Sequence, residues 1–140
     1  QREAGVMIKF NAMKAEISGK RVVMVDDSIV RGTTTRRIVQ MLKDAGAKEV
    51  HMRVSSPPYK FPCYFGIDIS STQQLVASKH TKDEICEMIG ADSLGYLSLE
   101  GLLEITSTSK CGFCTACFDS KYPMDVPMEG NKFCCGGMKK

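Results

Sequence analysis

The stretch from Arg21 to Thr35, reading Arg-Val-Val-Met-Val-Asp-Asp-Ser-Ile-Val-Arg-Gly-Thr-Thr-Thr, constrains this chain more than any other. An unbroken, Val-rich apolar run enters two adjacent acids, then a short polar loop, then a helical pattern. The run Arg21 to Val25 reads as a parallel strand buried on both faces. Ligands of open α/β sheets sit just beyond the carboxyl ends of such strands, where Asp26 and Asp27 fall. Two carboxylates there suit the hydroxyls of a vicinal diol or the coordination shell of Mg²⁺. The loop Ser28, Ile29, Val30, Arg31, Gly32, Thr33, Thr34 can turn successive backbone N–H groups and hydroxyls onto one phosphate. The following helix N-terminus adds partial positive charge, and Gly32 lets the backbone approach the anion closely. Two acids after a strand also occur at plain solvated helix entries, so the pair alone says little. The complete string is far more selective.

The flanking patterns place this stretch in a βαβ unit. Gly5 to Phe10 is a short apolar run expected as a strand, with Lys9 either exposed or reaching toward a phosphate. Ile17-Ser18-Gly19-Lys20 forms a turn into the central strand. Thr34 to Ala45 reads as a helix with Ile38, Met41, Leu42 and Ala45 on one face, stopped by Gly46. Arg36 and Arg37 are either solvated or lend charge to the phosphate. Glu49 to Val54 alternates, Val50, Met52 and Val54 against His51 and Arg53, which predicts a strand with one dry face. Strand, helix and strand imply a parallel sheet with a right-handed crossover. His51 reads as structural.

A Pro-punctuated loop, Ser55 to Cys63, follows, then an aromatic and apolar segment, Tyr64 to Ile69. Thr72 to Ala77 is weakly helical. Thr81 and Glu84 fit a capping box for a helix running to about Ile89 and ending at Gly90. Ser93 to Leu97 is extended, and Ser98 caps a helix through Leu102, Leu103 and Ile105. The fold class expected is therefore α/β.

With 140 residues the chain holds one domain with a modest core. A net charge of +3 is too weak to argue for nucleic acid or a membrane surface. No apolar run is long enough to span a bilayer, no signal peptide precedes the first strand, and the chain, starting at Gln1, reads as a fragment of a longer one. Seven cysteines are many for a cytosolic domain. The spacing Cys111-x2-Cys114-x2-Cys117 reads as metal or cluster ligation in a reducing compartment. Zinc and an iron–sulfur cluster fit it equally on residues alone. Adjacent Cys134 and Cys135 splay poorly onto one ion, while Cys63, directed by the preceding proline, suits a distant cluster ligand. Cys86 reads as a packed thiol. Near Ser107 the composition turns to Ser, Thr, Gly and Cys, which divides the chain into 1–106 and an irregular cysteine-rich tail, 107–140.

The string Val25-Asp26-Asp27-Ser28-Ile29-Val30-Arg31-Gly32-Thr33-Thr34 resembles the phosphoribosyl pyrophosphate (PRPP) signature of type I phosphoribosyltransferases. With Ser55-Ser-Pro-Pro58, Pro62-Cys-Tyr-Phe-Gly-Ile-Asp68, Ile89-Gly-Ala-Asp-Ser-Leu94, Leu97-Ser-Leu-Glu-Gly-Leu102 and Cys114-Thr-Ala-Cys-Phe118, the chain resembles the C-terminal part of the amidophosphoribosyltransferase family, in its iron–sulfur subgroup. The resemblance covers roughly residues 1 to 125. It implies a cytoplasmic, homo-oligomeric enzyme that transfers ammonia, released from glutamine by an N-terminal glutaminase domain absent here, to PRPP. The products are 5-phosphoribosylamine and pyrophosphate, the first committed step of purine synthesis. It further implies Asp26 and Asp27 as ribose and Mg²⁺ ligands, Ser28 to Thr34 as the phosphate cradle, and purine nucleotides as inhibitors. Cys63, Cys114 and Cys117 become ligands of a [4Fe-4S] cluster whose fourth ligand lies outside this chain; the family does not use the position of Cys111. Two other classes fit some of the same residues: a non-catalytic PRPP- or nucleotide-binding regulator, and a zinc-binding interaction module.

Overall fold

The structure, a computed structural model, describes residues 12–67 and 71–126. The strand expected over Gly5 to Phe10, Lys9, Asp68, Cys134 and Cys135 lie outside the described residues.

A single helical turn, α1 (Lys14–Ile17), leads into β1 (Arg21–Asp26). Helix α2 (Thr33–Asp44) returns the chain to β2 (Glu49–Val54). Two 3₁₀ turns, Thr72–Gln74 and Val76–Ser78, precede α3 (Lys82–Ile89). Strand β3 (Ser93–Tyr96), α4 (Leu99–Ile105) and a one-turn α5 (Ala116–Asp119) complete the order. The sheet is parallel, ordered β1-β2-β3, with Asp26 opposite Val54 and Val54 opposite Tyr96. The carboxyl ends of all the strands therefore share one edge.

Period-2 alternation in β2 puts Val50, Met52 and Val54 on one face, all buried. Val39 and Leu42 of α2 pack with Val50, while Ile85 and Ile89 of α3 pack with Met52, Val54, Leu94 and Ile29. Each such side chain, fully buried, contributes about 1.5–3 kcal/mol. Val39 belongs to the buried face of α2 although the sequence pattern singled out Ile38, Met41, Leu42 and Ala45. The capping box forms as expected: the Glu84 amide donates to Thr81 Oγ1 and the Thr81 amide to Glu84 Oε2. Gly46 and Gly90 adopt positive φ just past α2 and α3.

Two expectations change. Strand β1 is not buried on both faces: Val22 and Met24 pack inward, but Val23 and Val25 are 61% and 70% exposed. Among the described residues helices α2 and α3 share one side of the sheet and β1 lies at its edge, so a continuous apolar run here does not mean two covered faces. Thr72 to Ala77 is not one weak helix but two 3₁₀ turns hinged at Leu75, which is extended and 1% exposed. Burial of that leucine interrupts the helical ladder.

Candidate functional site

Asp26 is the last residue of β1 and Asp27 the first of the loop. The end of β2 fixes the first acid: the Ser55 amide donates to the Asp26 carbonyl at 2.9 Å and the Ser55 hydroxyl at 3.2 Å. The Asp27 amide donates to Asp26 Oδ1 at 2.9 Å, and the Ser28 hydroxyl to Asp27 Oδ1 at 3.1 Å. Burial raises the pKa of Asp26 above the usual carboxylate range; the Asp27 amide opposes this, and the Asp27 carboxylate adds to it. The two acids border one space, and the Asp27 charge reaches Asp26 across it.

The loop is anchored by what it does not offer to a ligand. The Ile29 side chain is 2% exposed in the core beside Val76, Ile85 and Ile89, so Ile29 enters the cradle only through its backbone. The Val30 carbonyl accepts from the Val76 amide at 2.8 Å. Gly32 takes φ +78°, a left-handed turn that only glycine adopts without strain. Thr35, 3% exposed, seats the first turn of α2. In contrast, no backbone amide from Ser28 to Thr35 donates to an acceptor of the described residues. The first amides of a helix have no partner within it. Here they are joined by those of the preceding loop, all at the positive end of the α2 dipole.

These groups line a cleft of about 530 Å³ bounded by Asp26, Asp27, Ser28, Val30, Arg31, Gly32, Thr33, Thr34, Thr35 and Gln74. Every sequence-singled loop residue except Ile29 lines it. Gln74 was not singled out; its side-chain oxygen accepts from Arg31 Nη2 across a separation of 43 residues, and nothing local in the sequence marks it. Arg36 and Arg37 are not among the cleft's lining residues. His51 lies away from it, bonded to Ser93 Oγ and Glu49 Oε2, each at 2.9 Å.

The cysteines form a second locus. The Lys60 and Phe61 amides donate to the Cys117 carbonyl at 3.0 and 3.1 Å, and the Tyr122 hydroxyl donates to the Pro62 carbonyl at 2.8 Å. Tyr59 packs on Phe118 with ring centroids 5.0 Å apart, and Tyr64 meets Tyr122 edge-on at 5.4 Å. The tail is thereby folded back on the loop that carries Cys63. Burial pushes the Cys117 thiol up to about 11, and the charges of Cys63 and Cys114 push the same way. Cys63 and Cys114 therefore both lie within electrostatic reach of Cys117, whereas Cys111 is exposed beside Ser109 Oγ at 3.2 Å. Cys86 donates to the Ala91 carbonyl at 3.2 Å as a packed thiol. Among the described residues no three His, Cys, Asp or Glu side chains converge on a single metal-ion position. Tyr59 stands between the two loci, its phenol pushed up by burial and then by Cys117, Asp27 and Cys63. Among the described residues no helix is long and apolar enough to cross a membrane.

No family model matches the chain. It is 60% identical over 130 residues to an amidophosphoribosyltransferase of Archaeoglobus fulgidus, covering 91% of this chain and 28% of that protein. It is 55% identical over 129 residues to the amidophosphoribosyltransferase of Bacillus subtilis, covering 89% of this chain and 27% of the relative. Among solved structures, glutamine PRPP amidotransferase from B. subtilis, complexed with ADP and GMP, superposes with TM-score 0.78 at 53% identity, over 86% of this chain and 27% of that one. A structure described as the allosteric regulatory enzyme of purine biosynthesis gives TM-score 0.77 at 53% identity. The chain thus spans about a quarter of the length of these relatives.

Proposed function

We propose that this chain, a homologue of one quarter of amidophosphoribosyltransferase, carries the PRPP-binding portion of an enzyme that makes 5-phosphoribosylamine and pyrophosphate from PRPP and ammonia. In this reading residues 1–106 belong to a type I phosphoribosyltransferase domain and 107–140 form a cysteine-rich segment. In this reading the ammonia comes from an N-terminal glutaminase domain that is not part of this sequence. The observation that carries the reading is the cleft itself: paired acids facing a loop whose amides donate to no acceptor among the described residues.

In this reading the amides of Ser28 to Thr34 and the hydroxyls of Ser28, Thr33 and Thr34 hold the 5-phosphate, helped by the α2 dipole. Asp26 and Asp27 accept hydrogen bonds from the ribose 2- and 3-hydroxyls, which orients the anomeric carbon. As pyrophosphate leaves, positive charge grows on the ribose ring, and the two nearby carboxylates stabilise it. Mg²⁺, held by Asp26 and Asp27, would neutralise charge on the departing pyrophosphate. Both acids open onto the cleft; burial raises Asp26 and the Asp27 charge adds to it, and a cation shared by the two would favour their charged forms, so the residues fit it. Purine nucleotides, which carry a ribose 5-phosphate, compete for the same cradle. The same kinship supports reading the enzyme as a cytoplasmic homo-oligomer.

Cys63, Cys114 and Cys117 would hold three corners of a [4Fe-4S] cluster, with the fourth ligand outside the chain. Cluster ligation replaces the thiol protons, and at the buried Cys117, whose thiol is pushed up by burial, the bound iron would have to favour the thiolate. A cluster spreads its cysteines over separate irons, so it does not require the three thiols to meet at one ion position. Anaerobic purification yielding stoichiometric zinc, with neither iron nor broad visible absorption, overturns the cluster assignment.

For the transferase itself, Asp26→Asn with Asp27→Asn in the full-length protein is expected to abolish ammonia-dependent phosphoribosylamine formation. Turnover at the wild-type rate would refute it and favour a regulator that only binds the nucleotide.

A further inference from the structure

Three ties draw the segment Thr72–Ser78 against the loop after β1. The Val76 amide donates to the Val30 carbonyl at 2.8 Å. Val76 and Ile29 pack in one buried cluster. Gln74 Oε1 accepts from Arg31 Nη2. The first two fix backbone and core. The third acts on a charged side chain that lines the cleft, and Gln74 lines it too. No ion pair to Arg31 occurs among the described residues: its recorded partner is a neutral amide oxygen.

That choice of partner matters physically. An arginine held by a carboxylate has most of its field cancelled locally. One held by a carboxamide keeps its full charge while losing rotamer freedom. Arg31 is exposed and has several flexible torsions, so without a partner it would sweep solvent. Held by Gln74, one edge of its guanidinium is occupied, and its remaining N–H donors stay free for an anion.

We propose that Gln74 is a positioning residue that holds Arg31 at the mouth of the cleft, with its charge undiminished, to receive a phosphate or pyrophosphate oxygen of the substrate. The inference rests on the PRPP reading above and deepens it. Gln74 makes no chemical step of its own; it converts a mobile cation into a fixed one.

The test uses the full-length protein, with PRPP kinetics at fixed ammonia and equilibrium titration with PRPP in parallel. Gln74→Leu removes the tether and keeps the arginine charge. It is expected to raise KM and Kd for PRPP about fivefold, in the range of one typical intramolecular hydrogen bond, with kcat changed less than twofold. Gln74→Glu keeps a tether but cancels charge, so it should weaken PRPP similarly and flatten the dependence of Kd on ionic strength. In an Arg31→Met background, Gln74→Leu should have no further effect, because the two act as a unit. A full fivefold loss in that background, or no loss in the wild-type background, overturns the proposal and leaves the PRPP reading standing. Unchanged PRPP binding in Asp26→Asn with Asp27→Asn, and in Arg31→Met, would instead defeat the underlying reading. Circular dichroism and thermal unfolding of each variant distinguish a lost fold from a lost tether.

Discussion

Gly32 is the residue at which stability and ligand binding are predicted to separate. An added Cβ there meets Ile89 Cγ2 at 3.5 Å, an ordinary contact, so space is not the obstacle. The φ of +78° is, and a non-glycine residue in that region costs roughly 1–2 kcal/mol. Two other glycines calibrate the estimate. Gly90, at φ +74° with nothing within 4 Å, pays the backbone term alone. Gly46, at φ +93°, would also press its Cβ to 3.0 Å from Ser18 Oγ and 3.4 Å from Ser18 Cα. Substitution to alanine should therefore destabilise Gly32 and Gly90 about equally and Gly46 more. With a urea slope of about 1.5 kcal/mol/M, the first two midpoints fall by roughly 1 M. Urea unfolding followed by far-UV circular dichroism measures this. Calorimetric titration with ribose 5-phosphate adds the second axis. Gly32→Ala relieves its strain by turning the loop, which misaims the amides and loses at least one charge-assisted hydrogen bond, about tenfold or more in affinity. Gly90→Ala leaves affinity unchanged in whatever fraction remains folded. Equal affinities for the Gly32 and Gly90 variants would refute the claim that the left-handed turn at Gly32 aims the cradle.

Asp26→Asn is expected to stabilise the fold. A carboxyl whose folded pKa is raised binds its proton more tightly when folded, so its ionisation opposes folding as pH rises past the ordinary carboxylate range, and an uncharged amide removes that opposition; a lower thermal midpoint at pH 7 would contradict it. Glu84 and Asp92 shift the other way, held low by the Thr81 amide and hydroxyl and by the Val50 amide respectively. Their contributions are present above the unfolded carboxylate pKa and lost as pH falls through the depressed folded values, so midpoints should drop on acidification below about pH 4.5, and less steeply in Glu84→Gln. Thr81→Ala removes one half of the capping box and should cost about 1 kcal/mol by urea unfolding. Tyr122→Phe deletes the bond to the Pro62 carbonyl while keeping the ring, and faster hydrogen exchange at the Lys60 and Phe61 amides would register the loosened tail.

Local chemistry made much of this legible from sequence. Strand β2 runs Glu49–Val54 as its alternation requires, Thr81 and Glu84 cap α3 reciprocally, and Gly46 and Gly90 end their helices at positive φ. The acids and loop residues gather at one cleft because strand end, turn and helix start are consecutive in the chain. What escaped is non-local. Gln74 reaches Arg31 only through tertiary docking of the 3₁₀ turns, and Tyr122 reaches Pro62 across 60 residues. The exposure of Val23 and Val25 escaped for a related reason: apolar periodicity records what a residue prefers, and only neighbours decide whether a face is covered.

That bare flank of β1 has a consequence for handling the protein. Beside the two valines runs a greasy trough of about 520 Å³, floored by Ala12, Met13, Ile17, Val22, Met24 and Ile38. Exposed hydrocarbon beside a strand is adhesive toward other apolar surfaces, whether from another protein or from a sibling molecule. Concentration, rather than heat, is then the first enemy of a purified sample. A lysine at position 23 or 25 would blunt the adhesion while leaving the inward row of Val22 and Met24 untouched.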